Sequence, residues 1–288
     1  MTSLHKECLK NMNKKLNSIL LSAFASFVSL TAQAQADDFG MDFSLAAEKK
    51  LCRGVGVTLE GNARTQDNTG KMDRWSIGAT IDAKIYNATM FDVKVFAGWE
   101  YMWTYNLREV KDKYETEDIY TPDGMETVTY YEGYNDQLPF WRDRHRTSAG
   151  VSASYKPNKR WSFQLKETFQ YSHFAKAETT KNKYRLDDDG NLYFKESETE
   201  FKKAKDKTVL RSRLTAQYNV KGLPLNPYAS AEYGCGLSYA TNKWKFTAGA
   251  DYKINKLNIL TVFYRYQTED DDDDPNGHII GIGYKVKL

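Results

Sequence analysis

Residues 277–288 read Gly-His-Ile-Ile-Gly-Ile-Gly-Tyr-Lys-Val-Lys-Leu. His278, Ile280, Ile282, Tyr284, Val286 and Leu288 fall on one face, and Ile279, Gly281, Gly283, Lys285 and Lys287 on the other. Strict alternation of this kind marks a β-strand with one apolar side. The strand stops on an apolar residue, with an aromatic four positions before it.

The other end of the chain supplies the context. Lys6, Lys10, Lys14 and Lys15 lead into an apolar run over residues 19–30, followed by Ala32-Gln33-Ala34 and Ala34-Gln35-Ala36. That is the pattern of a Sec-type signal peptide with an A-x-A cleavage site. The run is short of the roughly 20 residues a spanning helix needs. Met12 is a better start than Met1, and Cys8 precedes the apolar run, so it is no lipoprotein cysteine. Residues 1–36 are expected to be cleaved, leaving residues 37–288 as one domain. An exported chain that closes on such a strand is expected to be an outer-membrane β-barrel whose last strand ends in the periplasm.

Composition narrows the field. Four of the 41 basic and one of the 38 acidic side chains precede residue 37, so the rest balance at 37 each. That balance argues against a nucleic-acid partner. No later apolar run reaches transmembrane-helix length, and mean hydropathy is −0.68. A barrel remains open, because its strands meet lipid only with every second residue. Cys52 and Cys235 fall at opposite ends of the expected barrel and are read as unpaired.

Residues 38–48, 54–64, 74–84, 91–103, 141–155, 161–171, 209–220, 228–237, 243–253, 258–267 and 277–288 all alternate. They make about eleven segments of about ten residues, the length of a tilted membrane strand. Residues 106–139 and 172–207 are long, polar and read as loops, and Lys156-Pro157-Asn158-Lys159 as a tight turn. Glu167 interrupts an apolar face, which a bulge would explain.

Alternation alone leaves open which face is inside. A soluble, lipocalin-like barrel would turn its apolar face inward. Eleven strands, however, enclose more space than side chains usually fill. With Leu288 at the periplasmic end, Trp75, Trp99, Trp103, Trp141, Tyr171, Trp244 and Tyr266 gather at the outer strand ends. Phe91, Tyr155, Trp161, Tyr218, Tyr252 and Tyr284 gather at the inner ends. Two aromatic girdles with the apolar face on lipid are the expectation. The fold class is therefore all-β: a closed antiparallel transmembrane barrel of 10–12 strands, with short periplasmic turns and two long extracellular loops. Parity raises one conflict. A periplasmic start and an external first long loop need an odd number of strands between them, and four are visible. Either the count is off, or residues 38–48 run unusually, or residues 127–134 add a strand; an even total is expected, 12 before 10.

Asp38-Phe39-Gly40, Arg74-Trp75, Arg144-His145-Arg146, Leu210-Arg211-Ser212-Arg213-Leu214, Phe263-Tyr264-Arg265-Tyr266-Gln267 and His278-Ile279-Ile280-Gly281 are spread over nearly the whole mature chain. In these the sequence resembles the outer-membrane barrels of domain-of-unknown-function family 2490. The resemblance implies the fold and the bacterial outer membrane as location. It implies no activity and no catalytic residue.

One constellation emerges from the topology. Arg64, Arg74, Arg142, Arg144, Arg146, Arg211, Arg213 and Arg265 all fall on the polar face, in the outer halves of their strands. They form either a basic ring that favours anions or an internal salt-bridge network with Glu60, Glu100 and Glu232. Glu269 and residues 270–274 are weak Ca²⁺ candidates through Asp271 and Asp273, as are residues 187–191; both lack the full spacing of a Ca²⁺ loop, and a solvated acidic loop that cations could bridge to lipopolysaccharide is the simpler reading. Ser148 and His145 are three residues apart, on opposite faces of one strand, so they make a poor nucleophile and base. The expectation is a passive porin-like pore for a small anionic solute, with outer-membrane lipid as its partner and no cofactor. A closed barrel that acts through its loops comes second, and a lipid-acting enzyme third.

Overall fold

The computed structural model describes residues 38–121, 124–187, 189–238, 242–269 and 277–288. The expected signal peptide and the acidic run with Asp271 and Asp273 lie outside these residues. The chain forms β1 (Asp38–Cys52), β2 (Val55–Gln66), β3 (Lys71–Asn87) and β4 (Phe91–Asn106), then a hairpin of β5 (Glu109–Thr121) and β6 (Gly124–Gln137). There follow β7 (Phe140–Tyr155), β8 (Trp161–Phe174) and a second hairpin, β9 (Ala177–Leu186) and β10 (Leu192–Lys202). The last five strands are β11 (Lys205–Tyr218), β12 (Leu225–Gly236), β13 (Asn242–Lys253), β14 (Asn258–Glu269) and β15 (Gly277–Lys287).

Eleven of these close into a barrel in the order β1-β15-β14-β13-β12-β11-β8-β7-β4-β3-β2. Consecutive barrel strands are antiparallel, but β1 and β15 pair in parallel from Asp38↔Gly277 to Glu48↔Lys287. An odd number of up-and-down strands leaves the first and last pointing the same way, so closure can only be parallel. The expected even count of 12 and the wholly antiparallel ladder are thus corrected. Residues 38–48 do run opposite to the direction first assigned. β1 starts at the end that carries the long connections, the loop end, and descends to the end of short turns, where β15 also finishes.

Residues 127–134 do form a strand, as part of β6, but outside the barrel. The two segments expected as loops are hairpins that meet edge to edge through β6 and β9, giving a four-stranded sheet β10-β9-β6-β5. The β6–β9 ladder runs from Gly133↔Arg185 to Gln137↔Lys181. Tyr134 stacks on Tyr184 at 4.7 Å between ring centres, and Arg108 forks onto Asp136 at 2.6 and 2.7 Å. Lys183 bonds Glu196 and Glu198 across β9 and β10.

The apolar face points out. Leu45 is 61% exposed and Ile77 63%, while Ala46, Met102 and Ile279 alone make up the buried hydrophobic set among the described residues. In water this would be a continuous apolar patch far beyond what a soluble monomer carries; in an apolar surround each such Leu or Ile avoids a cost of about 1.5–3 kcal/mol. The aromatics sort to the two ends. Trp103 meets Trp141 at 5.6 Å and Tyr233 meets Trp244 at 4.8 Å near the loop end, and Trp161 meets Tyr218 at 4.9 Å near the turns.

Glu167 sits on this outward face without a bulge: β8 stays in register with β7 and β11 on either side. Its carboxylate accepts a hydrogen bond from Ser212 Oγ at 2.6 Å, the residue directly opposite on β11. Cys52 and Cys235 are free, one in the β1–β2 hairpin at the turn end and one near the loop end of β12.

The parallel seam is directly testable. Ser44 pairs with Gly283, and a Cβ on Gly283 would sit 2.7 Å from Ser44 Oγ. The variant Ser44→Cys with Gly283→Cys is expected to oxidise to an intramolecular disulfide, read as a shift in non-reducing gel mobility. Ala46→Cys with Gly283→Cys, one face-repeat out of register, should stay reduced.

Candidate functional site

The polar face of each barrel strand lines the lumen, and period two puts every second residue there. All eight arginines of the expected ring belong to these lumen rows. β7 contributes three in succession at alternate positions, Arg142, Arg144 and Arg146, and β11 contributes Arg211 and Arg213.

Four carboxylates organise most of them. Asp42 of β1 takes Arg64 at 3.1 Å and Arg265 at 3.5 Å. Asp73 lies 4.0 Å from both Arg64 and Arg74. Glu100 takes Arg146 at 3.0 Å. Glu232 accepts Arg213 Nε at 2.6 Å, with Arg211 at 3.5 Å and Lys245 at 4.0 Å. Seven cations therefore share four carboxylates, a surplus of three positive charges within the network. Asp42 and Lys245 were in reach of sequence reasoning, since both fall on the polar face. Asp73 was not, because a register shift between Arg64 and Thr65 displaces it.

Of the three expected acidic partners, the structure brings Glu100 and Glu232 into the network. Glu60 faces the same space but pairs with none of the eight arginines. Arg142 and Arg144 do something else. Arg142 donates to Ala175 O at 2.8 Å and to Lys203 O at 2.6 Å. Arg144 donates to Ser172 Oγ at 3.1 Å and lies 4.3 Å from the Phe174 ring centre. Arg142 thereby holds both ends of the β9–β10 excursion to the barrel rim, and Arg144 braces the last residues of β8 beneath it.

The lumen is divided. Under β12 to β15 it is filled: Phe263 occupies space where a Cβ on Gly281 would lie 2.0 Å from its ring and one on Gly249 2.7 Å from its Cβ. Arg265 lies over that ring at 4.8 Å. Glycine at 281 and 249 is what lets the ring lie flat on the wall. Under β2 to β12 there is instead a polar cavity of about 310 Å³, lined by Glu60, Glu100, Arg146, Lys166, Arg211 and Arg213 among others. Nearer the turns the charges close locally: Lys94 on Asp82 at 2.8 Å, Lys156 on Asp92 at 3.0 Å, and Gln217 and Thr261 on Asp251.

Ser148 lines the cavity, whereas His145 faces outward against Trp99 and Tyr101 at 6.0 and 5.2 Å. The barrel wall separates them. His173 Nδ1 is 2.7 Å from Asp206 on the outward side, where Tyr171 also bonds that carboxylate. Among the described residues no group of three His, Cys, Asp or Glu is arranged to hold a metal ion.

Glu232 is the keystone of the network. Its side chain is 7% exposed and faces three cations. Removing one partner of a buried ionic group costs about 3–5 kcal/mol. Glu232→Gln is expected to lower the unfolding free energy by about 3 kcal/mol in a urea titration. Glu60→Gln, which breaks no ion pair, should change it by less than about 1 kcal/mol.

No curated protein matches this chain. Among solved structures, the β domain of the Bordetella autotransporter BrkA is similar at 13% identity and a TM-score of 0.35, covering 80% of this chain and 78% of that one. The CymD monoaromatic hydrocarbon channel is similar at 12% identity and a TM-score of 0.31, covering 83% and 85%. Residues 39–278 match the family described as protein of unknown function (DUF2490), and the chain belongs to that family.

Proposed function

We propose that this protein spans the bacterial outer membrane as a passive, porin-like pore whose lumen favours small anions. The outward apolar face is the support for a lipid surround, and the short turns and the C-terminus at Leu288 then lie in the periplasm. Outer-membrane lipid and lipopolysaccharide surround the barrel, and the four-stranded sheet stands outside the cell.

The observation that carries the anion preference is the sharing of four carboxylates by seven cations. A network with matched charges would repel neither sign. One with three positive charges in excess raises the local concentration of anions inside a low-dielectric wall. The second reading is a closed barrel that acts through its external sheet. It is favoured by the aromatic surface of that sheet, where Tyr120 is 85% exposed and Tyr114, Phe194 and Phe201 are also exposed.

The refolded mature chain in a planar bilayer under a KCl gradient separates the two. Steady current steps with a reversal potential of anion-selective sign are expected. Arg211→Ser with Arg213→Ser reduces the excess from three charges to one, and the reversal potential should move towards zero. A folded barrel that passes no current would contradict the pore and leave the external sheet as the working part.

A further inference from the structure

Two charged side chains at the cavity stand apart from the ionic network. The Lys166 ammonium lies 4.1 Å from the centre of the Phe96 ring, and among the described residues it makes no ion pair. Glu60 likewise makes no ion pair or side-chain hydrogen bond among the described residues. They stand on β8 and β2, with β7, β4 and β3 between them, and both line the same space of about 310 Å³. Glu60 is exposed to this space and Lys166 half-buried, and each has opposite charge within Coulombic reach, Lys285 and Lys166 for Glu60, Glu232 and Glu60 for Lys166. Neither has a charged partner in contact among the described residues, so the close, hydrogen-bonded pairing is left for a ligand to supply.

The rest of the lining has the character of a ligand site. Asn62, Ser76, Thr168 and Gln170 offer neutral donors and acceptors. Arg146, already on Glu100 through Nη1, keeps its buried Nε without a partner. Four cationic and three anionic side chains line the cavity, one positive charge in excess. At about 30 Å³ for each water, the space holds about ten waters, or a molecule of about ten non-hydrogen atoms.

We propose that this cavity is a binding site for a small zwitterion of the amino-acid class, with its carboxylate at Lys166 and its ammonium at Glu60. The excess positive charge and the unused Arg146 donor favour a second carboxylate, so acidic amino acids bind best. The site goes beyond the pore reading and does not depend on it, because a barrel with a blocked lumen would still bind.

Isothermal titration of the refolded barrel in detergent tests this with L-glutamate, and with glutarate as the same pair of carboxylates without the ammonium. Glutamate is expected to bind at least about tenfold more tightly than glutarate, the effect of one close charge pair. Glu60→Gln should weaken glutamate by about tenfold and leave glutarate unchanged, while Lys166→Met weakens both. Glutarate binding as tightly as glutamate would overturn the proposal. So would an unchanged glutamate affinity in Glu60→Gln, or no glutamate binding by a barrel that keeps its folded gel mobility. Conductance recorded on the same preparations scores the pore reading separately.

Discussion

Eleven strands joined by hairpins leave two edges that point the same way, and the parallel ladder between β1 and β15 is what joins them. In an apolar surround an open edge would leave a row of backbone N–H and C=O groups without water or partner, at several kcal/mol each. The seam is reinforced from inside. Asp42 of β1 reaches Arg64 on β2 and Arg265 on β14, so its carboxylate ties together strands on both sides of the closure. The lumen charges therefore belong to the barrel's architecture as well as to any traffic through it. A substitution at Asp42 would act on the wall and on the ring at once.

The same inside-out arrangement sets what the interior can be. Because hydrophobic side chains cover the outside, almost no apolar residue is left to fill the lumen; Met102 and Ile279 are exceptions. Phe263, seated on two glycines, fills one side, and salt-bridged side chains occupy much of the rest. What stays open is a polar space bounded by charge of both signs. Shared carboxylates neutralise part of the arginine charge, and the uneven stoichiometry leaves the remainder positive. The proposed conduction would draw on the shared arginines, and the proposed binding on Lys166 and Glu60, which stand outside that sharing.

Most of the barrel was legible in the sequence because period two survives wherever one face is apolar and the other polar. All eleven barrel strands announce themselves this way, and the eight arginines could be assigned to one face before any coordinates. The direction of β1 was not legible, since alternation carries no sign; only the parity conflict hinted at it. The four-stranded sheet was missed because β5 and β10 carry charge on both faces, as in Glu-Val-Lys-Asp-Lys-Tyr-Glu from residue 109, and because its centre is a pairing of β6 with β9 across about fifty residues. Glu167 looked like a bulge because a carboxylate on an apolar face has no local explanation. Its partner Ser212 lies on the neighbouring strand, and no window of sequence around residue 167 contains it.

The claim on which the rest stands is that the apolar face meets lipid and the polar face meets water in the lumen. Nitroxides at Leu165→Cys and Ile81→Cys, against Gln164→Cys and Thr80→Cys, measure it most directly through collision with dissolved oxygen and with a water-soluble nickel chelate. In bilayers, oxygen should dominate at 165 and 81 and the chelate at 164 and 80. The opposite phase, with the chelate reaching 165 and 81, would mean a barrel turned the other way, and the account given for its lumen would fall with it.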